Sequence, residues 1–191
     1  MKITTYIKLS DCQADKVGNS LIYLSDKIAH LSNLKAIKLL YILDELSIKR
    51  SGIPFFNLKY KAWKFGPVSE EIFIDLSSET ALLKDYVKME AGEGTGLVKA
   101  RKGFDDNEFS DNNIELLDFA VSQFGNKTEK ELADYTRRIN SPWHKTAKDN
   151  LALELLMNEE ISCTELLVDM ETLVSHDERK KAIYREFIEM N

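Results

Sequence analysis

The side chains that most often carry catalysis or bind metals are sparse in this sequence. The three histidines, His30, His144 and His176, are far apart and have no cysteines at metal-ligand spacing, so no zinc site is expected. His144 follows Trp143 and is a candidate general base. A histidine exposed in the first turn of a helix is far more common, and that is our interpretation of His144.

Acidic pairs and a glycine-rich segment also fall short of catalytic patterns. Adjacent acids occur at Glu70-Glu71, Asp105-Asp106 and Glu159-Glu160. Neighbouring residues point in different directions on a helix or strand, so a solvated surface is the simplest interpretation of each pair. Residues 92–96 have glycine at every second position but lack the GxGxxG spacing and any GK[ST], which favours a hairpin tip over a phosphate-binding loop. We therefore expect no enzyme activity and no cofactor.

The composition is that of a folded globular protein. Of the 191 residues, 43% are hydrophobic and 30% are charged, and a domain of this length buries roughly 70% of its unfolded surface without needing a disulfide or a metal. The apolar runs are far shorter than the roughly 20 residues of a membrane span, and residues 1–13 lack an apolar signal core. We expect one cytoplasmic domain over residues 1–191 that does not contact membrane, with Cys12 and Cys163 as reduced thiols.

Charge is distributed unevenly along the chain. The formal net charge is −6, but residues 1–78 carry 11 Lys/Arg and 8 Asp/Glu, whereas residues 79–191 carry 15 and 24. The acidic segment, residues 149–178, contains nine acids and no Lys or Arg. One hypothesis is that it steers a basic protein partner through Glu159, Glu160 and Glu165; an ordinary solvated helix surface explains the pattern equally well.

Residues 35–64 carry seven basic side chains and only two acids, a local net charge of +5. Tyr41, Tyr60 and Trp63 lie within this stretch and Phe65 follows it, and a basic groove with aromatic side chains suits nucleic acid. The alternative is that the aromatic residues belong to the core and the lysines surround it. Because no recognition-helix signature supports the first interpretation and the whole chain is acidic, we rank nucleic-acid binding second.

The periodicity of apolar residues predicts a mainly α fold: a single α-helical domain with a small β-hairpin or two-strand arm. The expected helices and their signals are Asp11 to Leu31; a central helix capped by Asn33 and ended by Gly52-Ile53-Pro54; Asn113 to Gly125; one opened by Thr128 and Glu131; one opened by Ser141-Pro142; and three more at Leu151–Met157, Leu166–Leu173 and Ile183–Ile188.

Two segments are not expected to be wholly helical. Residues 55–68 are predicted to be extended at first and then to form a short helix broken at Gly66, with Pro67 opening the next helix and Ile72, Phe73 and Leu76 forming its buried side. Alternation between Tyr86 and Phe109 predicts a two-strand arm whose glycine-rich tip is exposed.

Several separate blocks of the sequence carry a more specific signal. They are Lys38-Leu39-Leu40-Tyr41-Ile42-Leu43-Asp44, Gly52-Ile53-Pro54-Phe55-Phe56, Lys59-Tyr60-Lys61-Ala62-Trp63-Lys64-Phe65-Gly66-Pro67-Val68, Leu132-Ala133-Asp134-Tyr135-Thr136 and Ser141-Pro142-Trp143-His144-Lys145. In order and spacing they resemble the Panacea-domain family, the SocA-like antitoxins, many of which are labelled phage-associated proteins. The resemblance covers roughly residues 11–150 as a core and leaves 151–191 as an acidic helical extension. The family commonly has histidine where this chain has Arg137, so no role of that histidine transfers.

The resemblance implies an antitoxin that neutralises a cognate toxin, often encoded beside it, by direct complex formation. The candidate partner-binding residues are Tyr41, Asp44, Lys59, Tyr60, Trp63, Phe65, Gly66, Pro67 and Trp143. Tryptophan and tyrosine are enriched in interface hot spots, but core packing is the favoured interpretation of Trp63, and the same two interpretations apply to Trp143. Asp44 is expected to order the following turn by hydrogen bonds.

Alternatives remain at this stage. A regulator that binds its own promoter through residues 35–64, a hydrolase or transferase, and a proteolytic adaptor are each compatible with the sequence. A homo-oligomer is also possible.

Overall fold

The computed structural model describes residues 9–78, 80–92 and 95–191. Residues 1–8 and Glu93-Gly94 of the glycine-rich turn fall outside these ranges. The expectations about the N-terminal segment and the hairpin tip therefore lie largely outside the described residues. Within them the mainly α fold is confirmed: eight α-helices and a 3-10 helix accompany two small antiparallel sheets of two strands each. None of the helices found there is long and apolar enough to cross a membrane.

Helix α2, Asn33–Ser51, runs through the centre of the core. It is apolar around most of its circumference, so nearly every residue from Ala36 to Ile48 is buried. The helix begins one residue earlier than predicted, because Ser32 and not Asn33 is the cap, with its hydroxyl accepting a hydrogen bond from the Lys35 amide. It ends as predicted at Gly52, whose φ of 83° is in the left-handed region.

Helix α1, Asp11–Lys27, packs beside α2. Its predicted apolar face is confirmed, since Val17, Leu21 and Leu24 are buried. Ile28 and Leu31 are also buried, but they belong to the connection after the helix.

A buried carboxylate joins α2 to the segment that follows it. Asp44 accepts hydrogen bonds from the backbone amides of Phe56, Asn57 and Leu58 at 2.6, 3.3 and 3.4 Å, and from the Tyr60 hydroxyl at 2.6 Å. The expectation that Asp44 orders this turn is therefore confirmed. These bonds determine where the chain leaves the core after α2.

The prediction of a short helix between residues 55 and 68 is wrong. Strands β1, Lys61–Trp63, and β2, Gly66–Val68, instead form an antiparallel hairpin closed by Lys64 and Phe65. We call residues 61–68 the motif hairpin. Pro67 lies within β2 and does not open a helix.

Helix α3, Glu70–Ser77, begins three residues after Pro67. Ile72 and Leu76 are buried as predicted, while Phe73 is half-buried. The helix also buries Asp75, which accepts hydrogen bonds from the backbone amides of residues 81–83, a role that apolar periodicity did not indicate.

Strands β3, Val87–Glu90, and β4, Leu97–Ala100, form the predicted two-strand arm. The arm is packed against the body of the protein: Val87 and Val98 are buried, and the Val98 amide donates to the Leu31 carbonyl. This contact fixes the arm beside the junction of α1 and α2.

Three further helices lie close to their predicted positions, and two of them open at the predicted caps. Helix α4, Asp111–Phe124, begins two residues before the predicted start, and helix α5, Glu129–Thr136, opens with the expected Thr128–Glu131 capping box. Helix α6, Pro142–Asp149, begins with Pro142 behind the Ser141 cap.

The chain beyond α6 returns across the motif hairpin. Helix α7, Leu153–Met157, lies within the segment predicted to be helical, whereas helix α8, Glu178–Met190, contains the predicted Ile183–Ile188 and begins five residues before it. The prediction of a helix at Leu166–Leu173 is wrong in its first half. There the chain is extended and pairs with β1, through the Ala62 amide bonded to the Leu166 carbonyl and the Val168 amide bonded to the Tyr60 carbonyl. A 3-10 helix, Met170–Val174, follows.

We predict that Asp44→Ala destabilises the protein by about 3 kcal/mol or more, because three backbone amides and a buried hydroxyl lose their acceptor. Asp44→Asn keeps an acceptor and should cost less. Urea unfolding of both variants measures the difference, with the exposed Asp26→Ala on α1 as control. Equal stability of Asp44→Ala and the control would contradict the assigned role.

Candidate protein-binding surface

The motif hairpin presents a two-residue turn on a short, well-anchored support. Trp63 pairs with Gly66 across it, leaving Lys64 and Phe65 at the tip. Gly66 has a φ of 101°, and a Cβ there would lie 2.5 Å from the Thr136 hydroxyl oxygen. Both its conformation and its close contact with α5 therefore require glycine.

Neighbouring elements hold the carbonyl groups of this turn. The Trp143 indole Nε1 donates to the Trp63 carbonyl at 2.8 Å, and the Arg137 guanidinium donates to the Lys64 carbonyl at 3.1 Å. Arg137 is in turn fixed by Asp134 at 2.7 Å. Arg137, where the resemblance led us to expect a histidine, thus holds the hairpin tip.

Phe65 is the prominent apolar side chain of the tip, with 60% of its surface exposed. The Lys64 ammonium lies 4.7 Å from the centre of the Phe65 ring and 2.9 Å from the Glu159 carboxylate. The aromatic ring is therefore presented beside an ion pair that connects the hairpin to the segment after α7.

The structure separates the nine candidate partner-binding residues into three groups. The buried ones are Tyr41, Asp44, Tyr60, Gly66, Pro67 and Trp143. Lys59 and Phe65 are exposed, and Trp63 is half-buried with its ring 5.1 Å from that of Phe73 on α3. The buried residues shape and support the surface, and only the remaining three present side chains to solvent.

The buried Tyr60 bonds Asp44 through its hydroxyl and packs against the buried Tyr41. The Tyr41 and Tyr60 rings meet edge to face at 5.0 Å. Burial raises the pKa of both hydroxyls well above the usual range, and the nearby carboxylates add to this effect. Burial also raises the pKa of Asp44, although its four hydrogen bonds oppose the change.

Glu45 is a buried charge that sequence reasoning did not single out. Its carboxylate pairs with Arg138 and, at 2.5 Å, with Lys49. The Arg138 guanidinium also lies 4.2 Å from the Tyr135 ring centre. A buried carboxylate with two cations connects α2 to the chain after α5. Its position in the middle of a helix that is apolar around most of its circumference was the signal that could have identified it.

Lys38 is the other missed residue. It was expected among surface lysines, but it is buried, and its ammonium donates to the Pro67 carbonyl at 3.0 Å. Burial lowers its pKa to about 7, and the neighbouring Arg137 guanidinium adds to that shift. Lys38, the first residue of the block Lys38 to Asp44, therefore binds the backbone of the motif hairpin.

Most cations of residues 35–64 have partners within the protein. The recorded pairs are Lys35 with the Gly125 carbonyl, Lys38 with the Pro67 carbonyl, Lys49 with Glu45, Arg50 with Glu115, Lys61 with Glu70 and Glu165, and Lys64 with Glu159. Lys35 and Lys38 bind backbone carbonyls, the next four pair with carboxylates, and Lys59 alone in this stretch has neither kind of partner among the described residues. A row of free cations for phosphates is therefore not present in this part of the chain.

The histidine expectations have a mixed outcome. His144 lies in the first turn of α6 as expected, but it is half-buried, and its Nδ1 has no hydrogen-bond partner among the described residues. The same residues contain no cluster of three or more His, Cys, Asp or Glu that could hold a metal ion.

Comparison with protein families gives a match that covers most of these elements. The family model described as "Antitoxin SocA-like, Panacea domain" matches residues 37–144, more than half of the chain. The chain belongs to the SocA-like antitoxin, Panacea domain family. Searches of curated proteins and of solved structures gave no match.

The Panacea match spans α2, the motif hairpin and the start of α6, and it stops before α7. The segment that follows it is nevertheless packed into the structure. Val168, Met170 and Val174 are buried in the core, and the Lys64 amide bonds to the Ser162 carbonyl at 2.9 Å. In this Panacea protein, residues outside the family match support the family's own hairpin.

We predict that Lys38 makes stability depend on pH. Its pKa is about 7 when folded and near 10.5 when unfolded, so between these values the unfolded state binds more protons and stability rises with pH. The slope contributed is at most about 1.4 kcal/mol per pH unit. Below pH 7 both states are protonated and the contribution is constant.

Urea unfolding of the wild type and of Lys38→Met at pH 6, 7.5 and 9 checks this. The unfolding free energy of the wild type minus that of Lys38→Met should increase between pH 7.5 and pH 9. Parallel pH profiles for the two proteins would disprove it.

Proposed function

We propose that this protein is a non-enzymatic antitoxin of the cytoplasm that neutralises a cognate toxin by forming a direct complex with it. Membership of the SocA-like antitoxin family supports the antitoxin role. The observation that carries the proposal of direct binding is the exposed Phe65 ring, presented on a hairpin that lies within the family match.

The hairpin suits binding because its tip is held in place before a partner arrives. Glycine at 66, the Trp143 indole and the Arg137 guanidinium each hold part of the backbone around the turn. A rigid aromatic side chain loses little conformational freedom on binding, and such residues often supply most of an interface's binding energy.

Exposed polar and charged groups around the ring complete the surface. Lys64 lies beside the Phe65 ring, and Lys59 and the half-buried Trp63 come from the same stretch of chain. A central aromatic residue within a polar rim is the usual organisation of a protein interface. No comparable observation favours the nucleic-acid alternative, since most cations of residues 35–64 are already paired.

Co-expression with the product of the adjacent gene tests the proposal. We expect rescue of growth from that product's toxicity and co-purification of the two proteins as a complex. Toxicity that persists, with no complex by size-exclusion chromatography, would refute direct neutralisation.

We predict that Phe65→Ala weakens the complex by about 2 kcal/mol, roughly 30-fold in dissociation constant. Its melting temperature should stay close to that of the wild type, since the ring is mostly exposed. Phe119→Ala is the matched control, because Phe119 is an exposed phenylalanine on α4. Equal affinities of the two variants would remove Phe65 from the interface.

A further inference from the structure

The extended segment that pairs with β1 uses its backbone on one side only. Its Leu166 carbonyl and Val168 amide bond to residues on the β1 side, at 2.9 and 2.7 Å. In an antiparallel pair, alternate residues direct their amides and carbonyls away from the partner strand. Glu165 and Leu167 are so placed, and neither their amides nor their carbonyls have a hydrogen-bond partner among the described residues. The sheet therefore has an open edge, which we call the edge segment, residues 163–168.

Side-chain exposure alternates along the edge segment as in a strand with one covered face. Glu165 and Leu167 are exposed, the latter with 56% of its surface, whereas Thr164 and Leu166 are half-buried and Val168 is buried. Side chains at alternate positions of a strand share one face. The two exposed side chains therefore lie on the same side of the sheet, next to the unpaired backbone groups.

Contacts within the protein hold the edge segment in place. Before it, the Ser162 carbonyl accepts a hydrogen bond from the Lys64 amide at 2.9 Å, and after it, the Asp169 amide donates to the Thr146 hydroxyl on α6 at 3.0 Å. Between these points, the Thr164 hydroxyl donates to a β1 carbonyl at 2.8 Å. The edge is therefore ordered before a partner arrives, which lowers the entropic cost of pairing with it.

The edge segment lies on the same sheet as the proposed aromatic contact. Lys61 is directly opposite Leu167 and four positions before Phe65, roughly 13 Å at the spacing of a strand. A standard interface buries about 800 Å² on each partner, which is wide enough to include both places. A protein bound at Phe65 thus meets the open edge as well.

We propose that the edge segment binds an extended segment of the toxin, which adds to the sheet as a further β-strand. The inference rests on the proposed antitoxin function and deepens it by specifying the conformation of the bound partner. The amides and carbonyls of Glu165 and Leu167 supply the hydrogen bonds, and the exposed Leu167 side chain contacts an apolar residue of the incoming strand.

The pattern of unpaired groups identifies an extended polypeptide as the occupant. Donors and acceptors repeat along the edge at the spacing of a strand, and another strand is the structure that pairs with all of them. A second copy of this chain fits less well. Joining two edge segments places the Glu165 and Asp169 side chains of both copies on one face, and like charges on neighbouring strands destabilise the pairing.

Hydrogen exchange of individual amides, followed by NMR, tests the pairing directly. The partner is the purified product of the adjacent gene. The Glu165 and Leu167 amides should exchange rapidly in the free protein and about tenfold or more slowly in the complex. The Val168 amide is the internal control, because it is bonded to the Tyr60 carbonyl and should be protected in both states.

Two substitutions at one position separate the backbone from the side chain. Leu167→Pro removes an amide hydrogen that no bond among the described residues uses, and proline is tolerated at such edge positions. Leu167→Ala shortens the side chain but keeps the amide. Met190→Ala, at an exposed apolar residue of α8, is the control. Circular dichroism checks folding, and calorimetry measures affinity for the same partner.

We expect Leu167→Pro to raise the dissociation constant about tenfold or more, Leu167→Ala to raise it several-fold less, and the control to match the wild type. If the wild type binds while the Glu165 and Leu167 amides still exchange rapidly, strand addition is overturned and the antitoxin function stands. Protection of these amides already in the free protein also overturns it, since another part of the chain or a second copy then fills the edge. Failure of the wild type to bind the adjacent product overturns the proposed function and this inference together.

Discussion

The hydrogen bonds accepted by Asp44 are the interaction on which the rest of the structure depends. Helix α2 is buried along most of its length, and Asp44 lies in its middle, where an unpartnered carboxylate would be very costly. Three consecutive backbone amides and the Tyr60 hydroxyl satisfy it. Because those donors immediately precede β1, the carboxylate determines where the motif hairpin starts, and Lys38 then binds the hairpin's second strand through the Pro67 carbonyl.

Local signals in the sequence were sufficient for most helices and for the β3–β4 arm, but not for the motif hairpin or the extended chain near Leu167. Caps such as Thr128 with Glu131, and the apolar spacing of Val17, Leu21 and Leu24, depend on residues a few positions apart, and these predictions agree with the structure. The chain around Leu167 is extended because it pairs with Lys61, about 100 residues earlier, and apolar periodicity does not detect so distant a partner. Around Pro67 the partner Ala62 is near in sequence, and proline was interpreted as the start of a helix although it lies in a hairpin strand.

The candidate site was predictable as a region but not residue by residue. The block from Lys59 to Val68 does form the exposed turn, and Phe65 is at its tip. Burial could not be inferred: Lys38 resembles a surface lysine in sequence, and Trp143 is fully buried with its indole nitrogen used to hold a carbonyl. The charge asymmetry was real in sequence, yet folding brings lysines of the basic stretch against glutamates of the acidic one, at Lys61–Glu165 and Lys64–Glu159.

The pairing of β1 with the chain near Leu166 has a consequence for biosynthesis. The bond between the Ala62 amide and the Leu166 carbonyl joins residues about 100 positions apart, a separation that slows folding. At ~5–20 residues per second of translation, roughly 5 to 20 s pass between synthesis of the hairpin and arrival of its third strand. During that interval the hairpin has one unpaired edge on the nascent chain, so the binding surface is completed only when translation is almost finished.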